Sequence, residues 1–155
     1  MFKSLLVPLD GSVHSERSLP IALEIARATE ASLHLAHVHV PHSPEQLLSN
    51  TQFHFEGLDI SAYEEKDRKE EREYLARIMG TLGRDGDSAL LEGDVADALG
   101  HYAEGVDADA IFMTTHGRTG VNRMWSGSVA DGTLLGSVAS GVLKISALPM
   151  LVQRP

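Results

Sequence analysis

Leu5-Leu6-Val7-Pro8-Leu9-Asp10-Gly11-Ser12 decides the fold. Its unbroken apolar run, stopped by the turn-forming Asp-Gly-Ser, reads as a strand covered on both faces, the usual condition of strands in a parallel sheet. The period then changes. Leu19, Ala22, Leu23 and Ala26 fall at i, i+3, i+4 and i+7, so a helix over about residues 15–29 turns one stripe toward a core. Residues 31–40 read as a second strand, closed by Pro41 and Pro44.

The rest of the chain repeats this alternation. Residues 41–60 carry Pro, Ser, Asn and Gln without periodicity and suit a long surface loop. Residues 64–73 are ten consecutive charged residues, followed by Leu75, Ile78, Met79 and Leu82 at helical spacing. The charge run is expected to be the solvated face of that helix, laced with i,i+4 pairs. A third strand is expected over 88–92. Asp94 is a candidate N-cap for a helix carrying Val95, Ala98, Leu99 and Tyr102 on one stripe. Residues 110–114 and 148–153 supply the fourth and fifth strands. The expected fold is α/β: a single open, doubly wound, parallel five-stranded sheet with helices on both faces, strand order 3-2-1-4-5, forming one domain over 1–155.

Composition narrows the function. The 155 residues are the size of one domain, with 43% apolar and 23% charged residues. A net charge of −9 disfavours nucleic acid and anionic membrane surfaces as partners. The absence of cysteine excludes thiolate metal sites and cysteine nucleophiles. No run approaches 18 apolar residues, and a cytoplasmic location is expected.

Chemistry should gather beyond the C-terminal ends of the strands, where the strand order reverses. Two loops stand out there. One is the Asp10-Gly11-Ser12 turn. The other, residues 114–128, is rich in glycine, hydroxyls and cations, including Thr114, His116, Gly117, Arg118, Arg123, Gly127 and Ser128. Backbone N–H groups at glycines and at a helix start form an anion cradle, and two arginines add charge, so a phosphate-bearing ligand is implied. A plain linker between strand and helix is the competing reading. No G-x-G pair, P-loop, G-x-S-x-G elbow or H-E-x-x-H motif is present.

These residues carry a resemblance. Residues 7–12, Glu92-Gly93-Asp94, Thr115-His116-Gly117-Arg118-Thr119-Gly120 and Gly127-Ser128, closed by Leu148-Pro149-Met150-Leu151-Val152, together resemble the universal stress protein family over essentially the whole chain. ATP-binding members show a glycine, two residues, a second glycine, nine residues, then Gly with Ser or Thr. Gly117 and Gly127-Ser128 match that spacing, and Thr114 departs from the first glycine. The resemblance implies that Pro8 and Asp10, with Ser12 in the same turn, line the adenine and ribose end. It also implies that Val38 offers its backbone to the base, while Gly117, Gly127, Ser128 and Val129 hold the phosphates. The implied ligand is ATP, or ADP or AMP, with Mg2+ as a possible companion, and homodimerisation through the C-terminal strand is implied as well.

Other residues have plainer readings. His116 either donates to a phosphate or is an ordinary loop histidine. His37 and His39 share a strand face, but two imidazoles without a third ligand make a weak metal site. Trp125 and Met124 suit packing beneath the loop. No general base with a positioned partner is evident, so an enzyme is not expected beyond slow ATP hydrolysis. The expected function is an adenine-nucleotide-binding stress-response regulator acting through conformation or partners. The alternative is a non-nucleotide member acting as a dimeric interaction module. A phosphoacceptor receiver is excluded because the fifth strand ends without lysine.

One oddity is not supplied by the family pattern. Residues 127–135 and 136–144 are identical at six of nine positions, so Gly127-Ser128 and Gly136-Ser137 compete for one phosphate site. Nine extra helical residues would rotate the downstream face by half a turn and add about 14 Å. A break near 132–136 is therefore expected, with the first copy closing the phosphate loop and the second forming the helix.

Overall fold

A computed structural model describes residues 1–42, 59–83, 86–115 and 136–153. The strands are β1 (Ser4–Pro8), β2 (Ser32–His39), β3 (Gly86–Glu92), β4 (Ala110–Thr114) and β5 (Met150–Gln153). The helices are α1 (Ser18–Thr29), α2 (Ile60–Leu82), α3 (Val95–Gly105) and α4 (Ser137–Ile145), and a 3-10 turn over Ser15–Arg17 leads into α1. The five strands form one parallel sheet of order β3-β2-β1-β4-β5, the expected topology.

β1 is the hub, buried at all five residues. Because successive side chains point to opposite faces, it feeds two cores. Leu5, Val7 and Leu9 pack with Leu33, Leu35, α1 and the Leu75 and Ile78 stripe of α2. Leu6 packs with Ala36, Val38, Ile111 and the inner faces of α3 and α4. Each fully buried leucine contributes roughly 1.5–3 kcal/mol.

Pro8 explains where the sheet opens. The Leu9 N–H donates to the Ala36 carbonyl of β2 at 2.8 Å, so by alternation the ring nitrogen of Pro8 faces β4. Proline has no donor to offer there, and the β1–β4 ladder comprises only Leu5↔Ala110 and Leu6↔Ile111. At the other end Asp109 accepts from the backbone N–H groups of Lys3 and Ser4, which holds its carboxyl below the usual range. The Ser4 hydroxyl donates to the Val106 carbonyl.

Two local expectations are refined. Asp94 caps α3 as expected, its carboxylate accepting from the Ala96 and Asp97 N–H groups at 3.0 and 3.2 Å. α4 begins with the second copy of the duplicated sequence, because Gly136, at ψ 164°, is not helical. The first copy, including the expected break at 132–135, lies outside the described residues, as does most of the 41–60 loop.

Gly141 sets the spacing of α3 and α4. A Cβ placed there would lie 2.8 Å from the Ala96 Cβ, and backbone-anchored atoms must shift to relieve such a contact. Gly80, inside α2, has open space around it. Gly80→Ala should therefore raise stability by about 0.5–1 kcal/mol through helix propensity, whereas Gly141→Ala should lower it by about 1 kcal/mol through overpacking. Chemical denaturation of both variants checks this, and stabilisation by both would contradict the close α3–α4 contact.

Candidate functional site

The strand order reverses between β1 and β4, so the crevice lies beyond their C-terminal ends. On one wall stands the Asp10 turn. Asp10 is exposed, and its Oδ1 accepts from both the backbone N–H and the hydroxyl of Ser12. Its own N–H donates to the Ser15 hydroxyl at 3.2 Å, and that hydroxyl donates to the Ser12 carbonyl. Gly11 sits at φ +79°, a conformation side chains disfavour, and this lets the chain reverse just past the sheet. The turn and ligand readings of Asp10 are thus compatible: the hydrogen bonds fix the carboxylate at the crevice mouth.

Val38 borders the same opening. Its side chain is buried with Leu6 and Leu99. Its backbone has the orientation of Ala36, whose carbonyl accepts from Leu9, so it faces the β1 side beyond the end of that strand. On the opposite wall Thr114 ends β4 opposite Gln153. The Thr114 hydroxyl and the Gln153 side-chain oxygen are both buried without a hydrogen-bond partner among the described residues. The Thr115 N–H donates to the Gln153 carbonyl at 3.0 Å.

Gly136 and Ser137 form the N-terminus of α4, with Ser137 exposed and no side chain capping the helix. Pro8, Asp10, Ser12, Val38 and Thr114 therefore belong to the strand ends and turn that border the switch point. His116, Gly117, Arg118, Gly127, Ser128 and Val129 lie outside the described residues. A groove of about 360 Å³ between α1 and α2 is lined mostly by apolar groups, among them Leu19, Leu23, Ile78 and Leu82.

The histidines differ from expectation. His37 and His39 do share a face, but carboxylates reach them from α2. His39 Nε2 lies 2.6 Å from Glu64 Oε2, and its Nδ1 lies 2.8 Å from Glu71 Oε2. His37 contacts the Leu9 carbonyl at 2.9 Å and Glu71 Oε1 at 3.3 Å. The charge run is thus only partly a solvated face: Lys66–Glu70 and Lys69–Glu73 are exposed i,i+4 pairs, while Glu64 is buried. The signal was present in the spacing. Glu64, Asp67 and Glu71 occupy i, i+3 and i+7 of the stripe that Leu75 and Ile78 continue. Among the described residues no group of three or more such side chains is arranged to hold a metal ion.

These features define a doubly wound parallel α/β protein with an open crevice at its switch point. The chain belongs to the universal stress protein family, whose profile matches residues 1–154. It is 30% identical over 159 residues to a universal stress protein of Methanocaldococcus jannaschii, covering 98% of this chain and 82% of that one. A Thermus aquaticus universal stress protein is 35% identical over 131 residues, covering 83% and 88%. Among solved structures, a universal stress protein in complex with cAMP superposes with a TM-score of 0.61 at 25% identity, over 99% of this chain and 97% of that one. A dAMP complex of an Archaeoglobus fulgidus member shares the fold, with a TM-score of 0.58 at 21% identity over 97% and 96%. Among the described residues no helix is long and apolar enough to cross a membrane.

Proposed function

We propose that the chain is an adenine-nucleotide-binding regulatory protein of the stress response, acting through nucleotide-dependent conformation or partner binding in the cytoplasm. The observation that carries this is the opening between β1 and β4, where Pro8 and the end of the ladder coincide with the fixed Asp10 carboxylate and the outward-facing Val38 backbone. The cAMP complex of the 25%-identical relative supports an adenine nucleotide as the ligand class.

In this reading Asp10 accepts from ribose hydroxyls and the Val38 backbone pairs with the base edge. The phosphates fall to Gly117, Gly127, Ser128 and Val129, with Arg118 and His116 nearby. ATP is the proposed nucleotide, with ADP and AMP as alternatives. Mg2+ would neutralise phosphate charge, which matters in a chain of net charge −9. Thr114 favours a second reading, a non-nucleotide interaction module, because a side chain stands where the motif's first glycine would admit the ligand.

Any ligand bound only by the native state stabilises it by RT ln(1 + [L]/Kd), about 2.7 kcal/mol at a hundredfold excess over Kd. ATP with Mg2+ should raise the melting temperature of nucleotide-free protein, Ser128→Ala should reduce the rise, and Gly127→Val should abolish it. Loss in Ser137→Ala alone would assign the phosphate to Gly136-Ser137. No rise at millimolar ATP would favour the interaction module.

The homodimer is proposed to form through β5. Among the described residues this strand pairs with β4 alone, and Leu151 on it is 38% exposed. Light scattering at micromolar concentration should give twice the chain mass of 16.7 kDa, and Leu151→Asp should shift it toward the monomer. A monomeric wild type would contradict this interface.

A further inference from the structure

Four imidazole nitrogens and four oxygen acceptors alternate between β1, β2 and α2. The sequence of contacts runs from the Leu9 carbonyl to His37, Glu71, His39 and Glu64. Glu64 then accepts the His42 backbone N–H through Oε1 at 3.0 Å. A carbonyl and an ionised carboxylate only accept, so each nitrogen in the row needs a proton, and a neutral imidazole has one for its two nitrogens. The requirement is sharpest at His39, whose two contacts are 2.6 and 2.8 Å and whose side chain is 1% exposed. Uncharged, it would hold a lone pair against a carboxylate in a buried site.

Among the described residues few other contacts hold the N-terminal half of α2. The helix's apolar anchors, Leu75 and Ile78, lie in its C-terminal half, while Ile60 and Tyr63 are exposed. Further ties among the described residues are the Arg68–Glu92 pair at 2.9 Å to β3, and His42, which lies 3.2 Å from Asp67 and edge-on to Tyr63.

We propose that the Glu71–His39–Glu64 chain is a proton-dependent clasp, closed while His39 carries both ring protons, whose opening at higher pH frees the N-terminal half of α2 from β2 and loosens the Leu9–Asp10 turn held through His37. The proton leaves to solvent, and the two carboxylates lose the cation between them. The clasp requires no bound nucleotide.

The surrounding charges agree with this. Burial pushes the His39 imidazole down, but the hydrogen bonds to Glu64 and Glu71 outweigh it, against a smaller opposing effect of Arg68, so it titrates above its ordinary value. Burial pushes Glu64 up, and His39 with the His42 N–H more than reverses this. Asp67 is pushed up by burial and by Glu64, Glu70 and Glu71, against His42. On the far side of His37 stands Tyr74, edge-on at 6.4 Å, whose hydroxyl donates to Glu16; burial first, then Glu16 and Asp10, keep it protonated. From β3, Glu92 is level with His39 and is engaged by Arg68. A raised folded-state value places the stabilisation fully below the free imidazole's pKa of about 6.5 and removes it as pH rises through the folded value.

Nitrogen NMR of the histidine rings and amide-exchange protection factors test this on the full chain between pH 6 and 9. At pH 6 both His39 nitrogens should carry protons. Protection at residues 64–71 and at Leu9 should then fall by up to about tenfold per pH unit above pH 6.5, while Ile111 and Phe112 of β4 stay constant. Glu71→Gln, at a position 24% exposed in its side chain, should lower the His39 midpoint and flatten this dependence. His39→Gln should remove it. A single His39 N–H at pH 6, protection independent of pH, or an unchanged midpoint in Glu71→Gln would each overturn the proposal.

Discussion

The structure depends on the burial of β1 between two neighbours and two layers of helices. Its alternate residues anchor both cores, so each layer is positioned relative to the same five residues. The crevice follows from how this strand ends. Proline offers no donor toward β4, the ladder stops, and the chain turns away at Gly11 with Asp10 fixed by Ser12. One strand thus supplies both the core and the lip of the site.

The fold was legible because its signals are local. Uninterrupted apolar runs, helical stripes and the Asp94 cap each specify their element without reference to the rest of the chain. Part of the candidate site's placement was legible for the same reason: Pro8, Asp10 and Thr114 are residues at or just past strand ends, and strand ends follow from strands. The role of α2 was not. Ten charged residues read as a solvated face, but three of them continue an apolar stripe and meet histidines some 22 to 34 positions earlier in the chain. Such pairing depends on where a long helix is laid across the sheet, which local periodicity does not encode. In the duplicated Gly-Ser segment the second copy forms α4 from Ser137, as expected, while the close approach of Gly141 to Ala96 is a contact that periodicity does not encode.

Arg118 and Arg123 follow β4 in the sequence. The α2 side concentrates carboxylates, and there imidazoles supply the opposing charge. In the proposed reading an acidic chain receives an anion at one edge of its central strand and buries carboxylates near the other, with protons on histidine neutralising them in place. Leu9 joins the two arrangements: its N–H fixes the strand to Ala36, and its carbonyl accepts from His37.

The most direct measurement is an amide chemical-shift titration of nucleotide-free protein with ATP and Mg2+. The account predicts saturable shifts at residues 9–12, around Val38, at Thr114 and Thr115, and through 116–129, with the Leu75–Leu82 half of α2 unmoved. Absence of saturable shifts at millimolar ATP, or shifts confined to the α1–α2 groove, would contradict it.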